Sequence, residues 1–218
     1  MSLVSIEIET AAPPRGSVII LHGLGADGND FVPVAEQLSL DPVGPVRFVF
    51  PHSPTRAVTI NGGYVMPAWY DILGPAGPED EAGLRASQGL VEALIAKEIA
   101  RGVPASRIVL AGFSQGCAMT LMTGLRHSQR LAGLACLSGY LPLAAKAAAE
   151  RHPDHHDLPI FMAHGRSDGV IPIARAVASR DALTALGYPV EWHEYAMPHS
   201  VCPQEIADLN RWLLRVLA

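Results

Sequence analysis

The chain has 218 residues, of which 49% are hydrophobic and 17% charged, and its formal net charge is −5. This acidic balance leaves no basic footprint and argues against a nucleic-acid partner. No apolar run reaches the roughly 18 residues of a membrane-spanning helix, which argues against stable membrane insertion. The length suits one domain with a substantial core, so we expect residues 1–218 to form a single domain.

The amino-terminal segment and the cysteines both favour a cytoplasmic protein. Residues 1–10 lack a basic region and alternate like a strand, unlike a signal peptide. The three cysteines, Cys117, Cys136 and Cys202, are widely spaced and odd in number. This favours reduced thiols over a disulfide framework, and we expect Cys117 and Cys202 to be small buried hydrophobic residues.

Short apolar runs alternate with helix-compatible segments along the chain. Continuous apolar runs of strand length are typical of strands that are covered on both faces. The long segment 52–78 is predicted to be irregular. The predicted strands span residues 3–9, 17–21, 46–50, 108–111, 131–137, 160–163 and 190–195.

Six helices are predicted between and after these strands. We expect Asn29-Asp30 to cap the first helix, which runs to Leu38 with Pro33 in its first turn. The fifth begins with Pro172 at its first helical position. The remaining helices begin at the acidic run 79–81, at Cys117, near Pro142 and at Pro203.

The repeated alternation predicts the α/β class, with a mostly parallel central sheet flanked by helices. In such sheets, ligands bind beyond the carboxyl ends of the strands. His22, Ser114, Asp168 and His199 each follow a predicted strand. We therefore expect these side chains to meet at one edge of the sheet.

Gly112-Phe-Ser-Gln-Gly116 stands between a predicted strand and a predicted helix. This G-x-S-x-G pattern is typical of a nucleophile elbow, whose glycines let strand and helix approach each other. Taken alone, the pentapeptide is equally compatible with a glycine-rich turn that happens to contain a serine.

A serine nucleophile needs a base, and a carboxylate on the far ring nitrogen orients a histidine base. Ser114, Asp168 and His199 follow the chain order Ser…Asp…His. They are the predicted nucleophile, orienting acid and base, and activity is expected to fall as the pH drops through about 6 to 7. The alternative for Asp168 is a cap on the helix near Pro172.

The other candidate side chains are less well placed. His22 precedes the serine, His193 lies inside a strand, and His164 suits a core position or one behind the site. Asp71 is expected to support the long segment or a substrate channel. The histidines of the polar loop, His152, His155 and His156, are expected to be solvated, with metal binding as the alternative.

The attacked carbonyl oxygen needs preorganised donors, and the amides of Gln115 and Leu24 are the predicted pair. The loop that carries Leu24 also matches a dinucleotide fingerprint, with glycines at Gly23, Gly25 and Gly28. Such a site also needs an acid at the end of the next strand, where Pro51-His52-Ser53 stands instead. Nucleotide binding by Gly23–Gly28 therefore remains the remote alternative.

Seven short segments, spread over most of the chain, together match one family. They are residues 21–27, 50–54, 60–63, 66–71, 111–116, 164–168 and 197–200. On these segments the sequence resembles the phospholipase/carboxylesterase family, which includes acyl-protein thioesterases and small bacterial carboxylesterases. Two positions depart from the family pattern, since Cys117 and Pro198 stand where glycine is common.

The resemblance implies an α/β-hydrolase fold without a large lid domain and a cofactor-independent Ser-Asp-His mechanism. It implies the same roles for Ser114, Asp168 and His199, and for the Leu24 and Gln115 amides. It also implies that segment 52–78 forms part of an acyl-binding wall, with Trp69 and Tyr70 as contributors. Without the resemblance, these two aromatic residues would be interpreted as loop anchors.

The leading functional hypothesis is a serine carboxylesterase that hydrolyses short- to medium-chain esters through an acyl-enzyme. The alternative within enzymes is an acyl-protein thioesterase or lysophospholipase that acts on long acyl chains. Apolar residues around the long segment are compatible with either a substrate channel or a homodimer contact.

Overall fold

The strands form two sheets. The structure is a computed structural model and describes residues 3–74 and 77–218. Most strand bounds agree with the apolar runs of the sequence. The strands are β1 (Ser5–Glu9), β2 (Gly16–Leu21), β3 (Val46–Pro51), β4 (Thr55–Val58), β5 (Tyr64–Pro67), β6 (Ile108–Phe113), β7 (Gly133–Leu137), β8 (Ile160–Gly165) and β9 (Val190–Tyr195).

The larger sheet has the strand order β1-β3-β2-β6-β7-β8-β9. Only β1 is antiparallel to its neighbour, and the other five pairings are parallel. Parallel strands end at the same edge of a sheet. The loops after β2, β6, β8 and β9, which carry the predicted site residues, therefore share one edge, and the mostly parallel sheet agrees with the prediction.

Helices bury both faces of this sheet, which explains why its inner strands are continuously apolar. Ile19 and Leu21 of β2 pack in one cluster, and Val18 and Ile20 in the other, because successive side chains point to opposite faces. The second and third helices contribute to the first cluster, whereas the last helix contributes Ile206, Leu209, Trp212 and Leu213 to the second.

The helices are α1 (Val32–Ala35), α2 (Glu81–Ala100), α3 (Gln115–Gly124), α4 (Ala144–Glu150), α5 (Ile173–Ala185) and α6 (Pro203–Val216). The two longest confirm their predicted starts: Asp80 caps α2 by accepting a hydrogen bond from the Gly83 amide, and Pro203 opens α6. In the described part of the chain, no helix combines the length and apolarity needed to cross a membrane.

Three helix starts differ from the prediction, among them that of α3, which begins at Gln115 instead of Cys117. The first helix is a single turn with Phe31 at its N-cap position. Asn29 does not cap it, because Asn29 donates from its amide and its side chain to the Asp27 carboxylate and so belongs to the preceding turn. Pro172 is extended, with ψ 134°, so it precedes α5 instead of occupying its first position.

The segment that was predicted to be irregular contains an antiparallel hairpin of β4 and β5. Residues 59–63 form its turn, and Gly62 and Gly63 have positive φ, 66° and 80°. Asp71 supports the turn by accepting hydrogen bonds from the amide and hydroxyl of Thr59. Asn-Gly between β-compatible residues is a hairpin signal that the sequence interpretation missed. Residues 75 and 76 of the segment lie outside the described residues.

Candidate active site

Ser114 occupies a strained turn between β6 and α3. Its φ of 55° and ψ of −116° lie in a region that side-chain-bearing residues rarely adopt. A Cβ on Gly112 would lie 2.2 Å from the Gly116 carbonyl oxygen, and one on Gly116 would lie 2.0 Å from the Leu21 carbonyl oxygen. Only glycine fits at these positions, so the geometry is that of a nucleophile elbow.

Asp168 and His199 form a short hydrogen bond, with 2.6 Å between Oδ2 and Nδ1. The other oxygen, Oδ1, accepts hydrogen bonds of 2.8 Å from the amides of Val170 and Ile171. Burial alone would raise the pKa of Asp168, but these three hydrogen bonds hold it below its ordinary value. The carboxylate therefore serves the histidine and the loop turn at once. It does not cap α5 as the alternative expected, because its Oδ1 partners precede that helix and Pro172 occupies the N-cap position without a side-chain cap hydrogen bond.

His164 lies behind this pair, fully buried at the end of β8. Its Nε2 is 2.8 Å from the Ile171 carbonyl oxygen and 3.2 Å from Asp168 Oδ2. Since a carbonyl oxygen only accepts, Nε2 carries the proton and donates. His164 therefore holds the loop around Asp168 and is not itself a surface base.

The His199 loop lies beside the serine turn. The Phe113 ring packs against the His199 ring with 4.7 Å between centroids. A Cβ on Gly165 would lie 2.4 Å from the carbonyl oxygens of Met197 and Pro198, so the end of β8 and this loop are in close contact. Among the described residues, Ser114 makes no hydrogen bond to His199; such contacts often tighten only when substrate binds.

The loop after β2 also lies against Ser114. A Cβ on Gly23 would lie 3.4 Å from the Ser114 Cβ. His22 fixes this loop, because its Nε2 accepts from the Ser53 amide at 3.1 Å and its Nδ1 then donates to the Gly23 carbonyl oxygen at 2.7 Å. Burial lowers the pKa of His22, which keeps this imidazole neutral as a loop support.

The glycines of this loop have a packing explanation. A Cβ on Gly28 would lie 2.5 Å from the Phe50 carbonyl oxygen, and Gly25 has a φ of 76°. The Gly25 amide donates to the carbonyl oxygen of Pro67 at the end of β5. These contacts account for the Gly23–Gly28 spacing without a bound phosphate.

Trp69 and Tyr70 are buried, at 0% and 3% exposure. The Trp69 indole Nε1 donates to the His22 carbonyl oxygen at 2.9 Å, and the hydroxyls of Tyr70 and Tyr140 lie 2.7 Å apart. This placement favours the loop-anchor interpretation over direct contact with an acyl chain. The exposed apolar side chains of the segment lie instead on and after the hairpin, at Ile60, Tyr64, Val65 and Leu73.

One expectation about the histidines and one about the cysteines are corrected. His155 is buried, not solvated, and its ring stacks on His152 with 4.5 Å between centroids. Residues 3–74 and 77–218 contain no group of three or more side chains suited to holding a metal ion. Cys117 is buried against Gly139 beneath the elbow as expected, whereas Cys202 is only half-buried.

Comparisons with known proteins agree over nearly the whole length. The sequence pattern of the family described as Phospholipase/Carboxylesterase matches residues 5–217. Acyl-protein thioesterase 1 of Mycosarcoma maydis is 41% identical over 229 residues, covering 97% of this chain and 95% of that protein. Acyl-protein thioesterase 1 of Yarrowia lipolytica is 38% identical over 216 residues, covering 96% of this chain and 95% of that protein.

Solved structures share this fold. The crystal structure of Arabidopsis thaliana SOBER1 superposes with a TM-score of 0.88 at 29% identity, covering 94% of this chain and 100% of that one. The α/β-hydrolase fold expected from the sequence is thereby confirmed.

Proposed function

Because the chain belongs to the phospholipase/carboxylesterase family, and is thus a hydrolase of ester or thioester bonds, we propose that it acts through an acyl-enzyme on Ser114. His199 is the proposed base and Asp168 its orienting acid. The observation that carries this proposal is the 2.6 Å hydrogen bond between the buried Asp168 carboxylate and His199 Nδ1, beside the strained serine turn.

The proposed reaction has two halves. Ser114 Oγ attacks the carbonyl carbon while His199 Nε2 takes the hydroxyl proton, and the carbonyl oxygen becomes an anion that the Leu24 and Gln115 amides stabilise. When the anion collapses, His199 returns the proton to the departing alcohol or thiol. Water then attacks the acyl-enzyme in the same way, and the acid and free Ser114 are released.

Asp168 favours this course because its bond to Nδ1 leaves His199 Nε2 as the free ring nitrogen. The carboxylate also stabilises the imidazolium that forms in each half-reaction. The lowered pKa of Asp168 keeps its carboxylate ionised at neutral pH, so it can both orient His199 and stabilise the imidazolium there.

We propose short- to medium-chain carboxylic esters as substrates, with long-chain thioesters or lysophospholipids as the second candidate. The second candidate is favoured by the names of the relatives, which are acyl-protein thioesterases. A series of matched oxygen esters and thioesters from C2 to C16 separates the two. A maximum of kcat/KM at C2 to C6 supports the first, and a steady rise towards C16 supports the second.

The nucleophile is tested with Ser114→Ala. We expect hydrolysis of p-nitrophenyl butyrate to fall by roughly 10⁴-fold or more, because a triad without its nucleophile retains only binding and oxyanion effects. A fluorophosphonate probe should label the wild type on Ser114 and leave the variant unlabelled, as peptide mapping will show.

Ser138→Ala is the matched control. Ser138 also follows a central strand and has a positive φ of 48°, but it stands outside the proposed triad. This variant should still be labelled on Ser114. Equal hydrolysis by Ser114→Ala and the wild type would overturn the proposal.

A further inference from the structure

The side chain of Gln115 makes two hydrogen bonds that the proposed chemistry does not require of it. It is 3% exposed, and its Oε1 accepts from the Trp69 amide at 3.0 Å. Its Nε2 donates to the Tyr70 carbonyl oxygen at 2.9 Å. The first residue of α3 is therefore fastened by its side chain to a segment that is 45 residues away in the sequence.

The same two-residue segment also holds the loop that carries Leu24. The Trp69 indole donates to the His22 carbonyl oxygen at 2.9 Å, and the rings of the two residues lie 5.3 Å apart. Ser87 of α2 donates its hydroxyl to the Trp69 carbonyl oxygen, so the segment is itself tied to a long helix. One segment thus joins the start of α3 to the loop after β2.

We infer that Trp69-Tyr70 sets the separation of the two proposed oxyanion amides, and that the Gln115 side chain is a positioning residue for this purpose. The inference rests on the proposed function, since it concerns the amides of Leu24 and Gln115. Oxyanion stabilisation depends on donors that are held in place before the reaction, and displacements of about 1 Å can cost up to 10²-fold in rate.

The two hydrogen bonds from the Gln115 side chain to Trp69-Tyr70 have a second consequence for the same site. The first amides of a helix have no partner within the helix, and a nearby side-chain oxygen readily accepts from them. Because Gln115 Oε1 is held by the Trp69 amide, it is kept from capping α3. The N-cap residue Ser114 makes no side-chain cap hydrogen bond either, so no side chain of the described residues caps α3 and the Gln115 amide is available to the substrate oxyanion.

Gln115→Met tests the inference, because it removes both side-chain hydrogen bonds and keeps the backbone amide. With p-nitrophenyl butyrate we expect kcat to fall by about 10-fold while KM changes by less than about 2-fold, as for an interaction that acts in the transition state. The inhibition constant of an alkyl trifluoromethyl ketone, whose adduct places an oxyanion in the same position, should rise by the same factor as kcat/KM falls.

Tyr195→Phe is the matched control for the loss of a buried hydrogen bond. The Tyr195 hydroxyl donates to Asp208 at 2.8 Å, between β9 and α6. This variant should lower Tm and leave kcat and ketone inhibition as in the wild type. If Gln115→Met behaves in the same way, the side chain has only a structural role and the inference is overturned.

Trp69→Phe provides an independent test if Gln115→Met does not fold. It removes the indole hydrogen bond to the His22 loop and keeps the backbone that binds Gln115. A smaller fall in kcat, again matched by weaker ketone inhibition, supports the inference, and an unchanged kcat contradicts it. Fluorophosphonate labelling of Ser114 in the same wild-type preparation tests the proposed function separately.

Discussion

Asp168 divides its two carboxylate oxygens between two tasks. Oδ1 closes the loop turn through the Val170 and Ile171 amides, and Oδ2 binds His199. A side chain that keeps the first task and loses the second would separate structure from chemistry. Asparagine has this property, because its amide oxygen can still accept from the two backbone amides.

We therefore predict that Asp168→Asn folds and loses about 10⁴-fold in kcat, because the asparagine NH₂ favours the wrong histidine tautomer. The measurements are kcat with p-nitrophenyl butyrate and the thermal midpoint. Asp208→Asn is the control, since Asp208 is a similarly buried carboxylate that accepts from Tyr195. If Asp168→Asn retains a tenth of the wild-type rate, Asp168 does not orient the histidine as proposed.

At the scale of single elements, the elbow depends on the absence of side chains at two positions. Cβ atoms on Gly112 and Gly116 would meet backbone oxygens at 2.2 and 2.0 Å, and backbone cannot move aside as a flexible side chain does. Gly89 differs, because it is exposed within α2 and a Cβ there would meet nothing within 4 Å.

The prediction is a contrast between two alanine substitutions. Gly116→Ala should abolish activity and lower the thermal midpoint, whereas Gly89→Ala should raise the free energy of unfolding by about 0.5–1 kcal/mol, the usual gain in a helix interior. Chemical denaturation and the esterase rate measure both effects. A fully active Gly116→Ala enzyme would contradict the packing argument for the elbow.

The elements that the sequence predicts well are those with strong local signals. Val190–Tyr195 and the start of α6 at Pro203 agree with the structure, because a short β-compatible segment between turns and a proline at a helix start act locally. The start of the first helix was predicted wrongly because Asn29 can either cap a helix or join a turn with a nearby carboxylate. In the structure it joins the turn of Asp27. The hairpin was missed because its strands have only four residues each and half of these residues are exposed.

At the scale of the whole molecule, the order Ser114, Asp168, His199 was enough to predict the pair that the structure brings together, because parallel strands end at one edge. The links of Gln115 to Trp69 and of His22 to Ser53 were not predicted. They join loops that are distant in sequence, and no periodicity or spacing predicts which side chain will bind which backbone group. The supporting contacts of the site are therefore a product of the tertiary fold.

One buried carboxyl group couples the stability of the whole chain to pH. Glu205 of α6 is fully buried, and neither of its carboxyl oxygens has a hydrogen-bond partner among the described residues. Burial raises the pKa of Glu205 from 4.5 to about 8; the nearby Cys202 amide, which lies outside hydrogen-bonding geometry, opposes this rise, and the charge of Asp208 adds to it. The folded chain thus keeps a proton that the unfolded chain releases.

Between pH 4.5 and about 8 the unfolded state binds fewer protons at this group, so stability should fall as the pH rises and level off above pH 8. A tenfold change in proton affinity is worth about 1.4 kcal/mol, which limits the loss of stability across this pH range to on the order of 4–5 kcal/mol.

Glu205→Gln removes this titration. In urea denaturation at pH 5, 7 and 9, its free energy of unfolding should exceed that of the wild type increasingly as the pH rises. Glu36→Gln, at an exposed position, controls for net charge. A difference for Glu205→Gln that is equal at pH 5 and pH 9 would show that the buried carboxyl does not control the pH dependence.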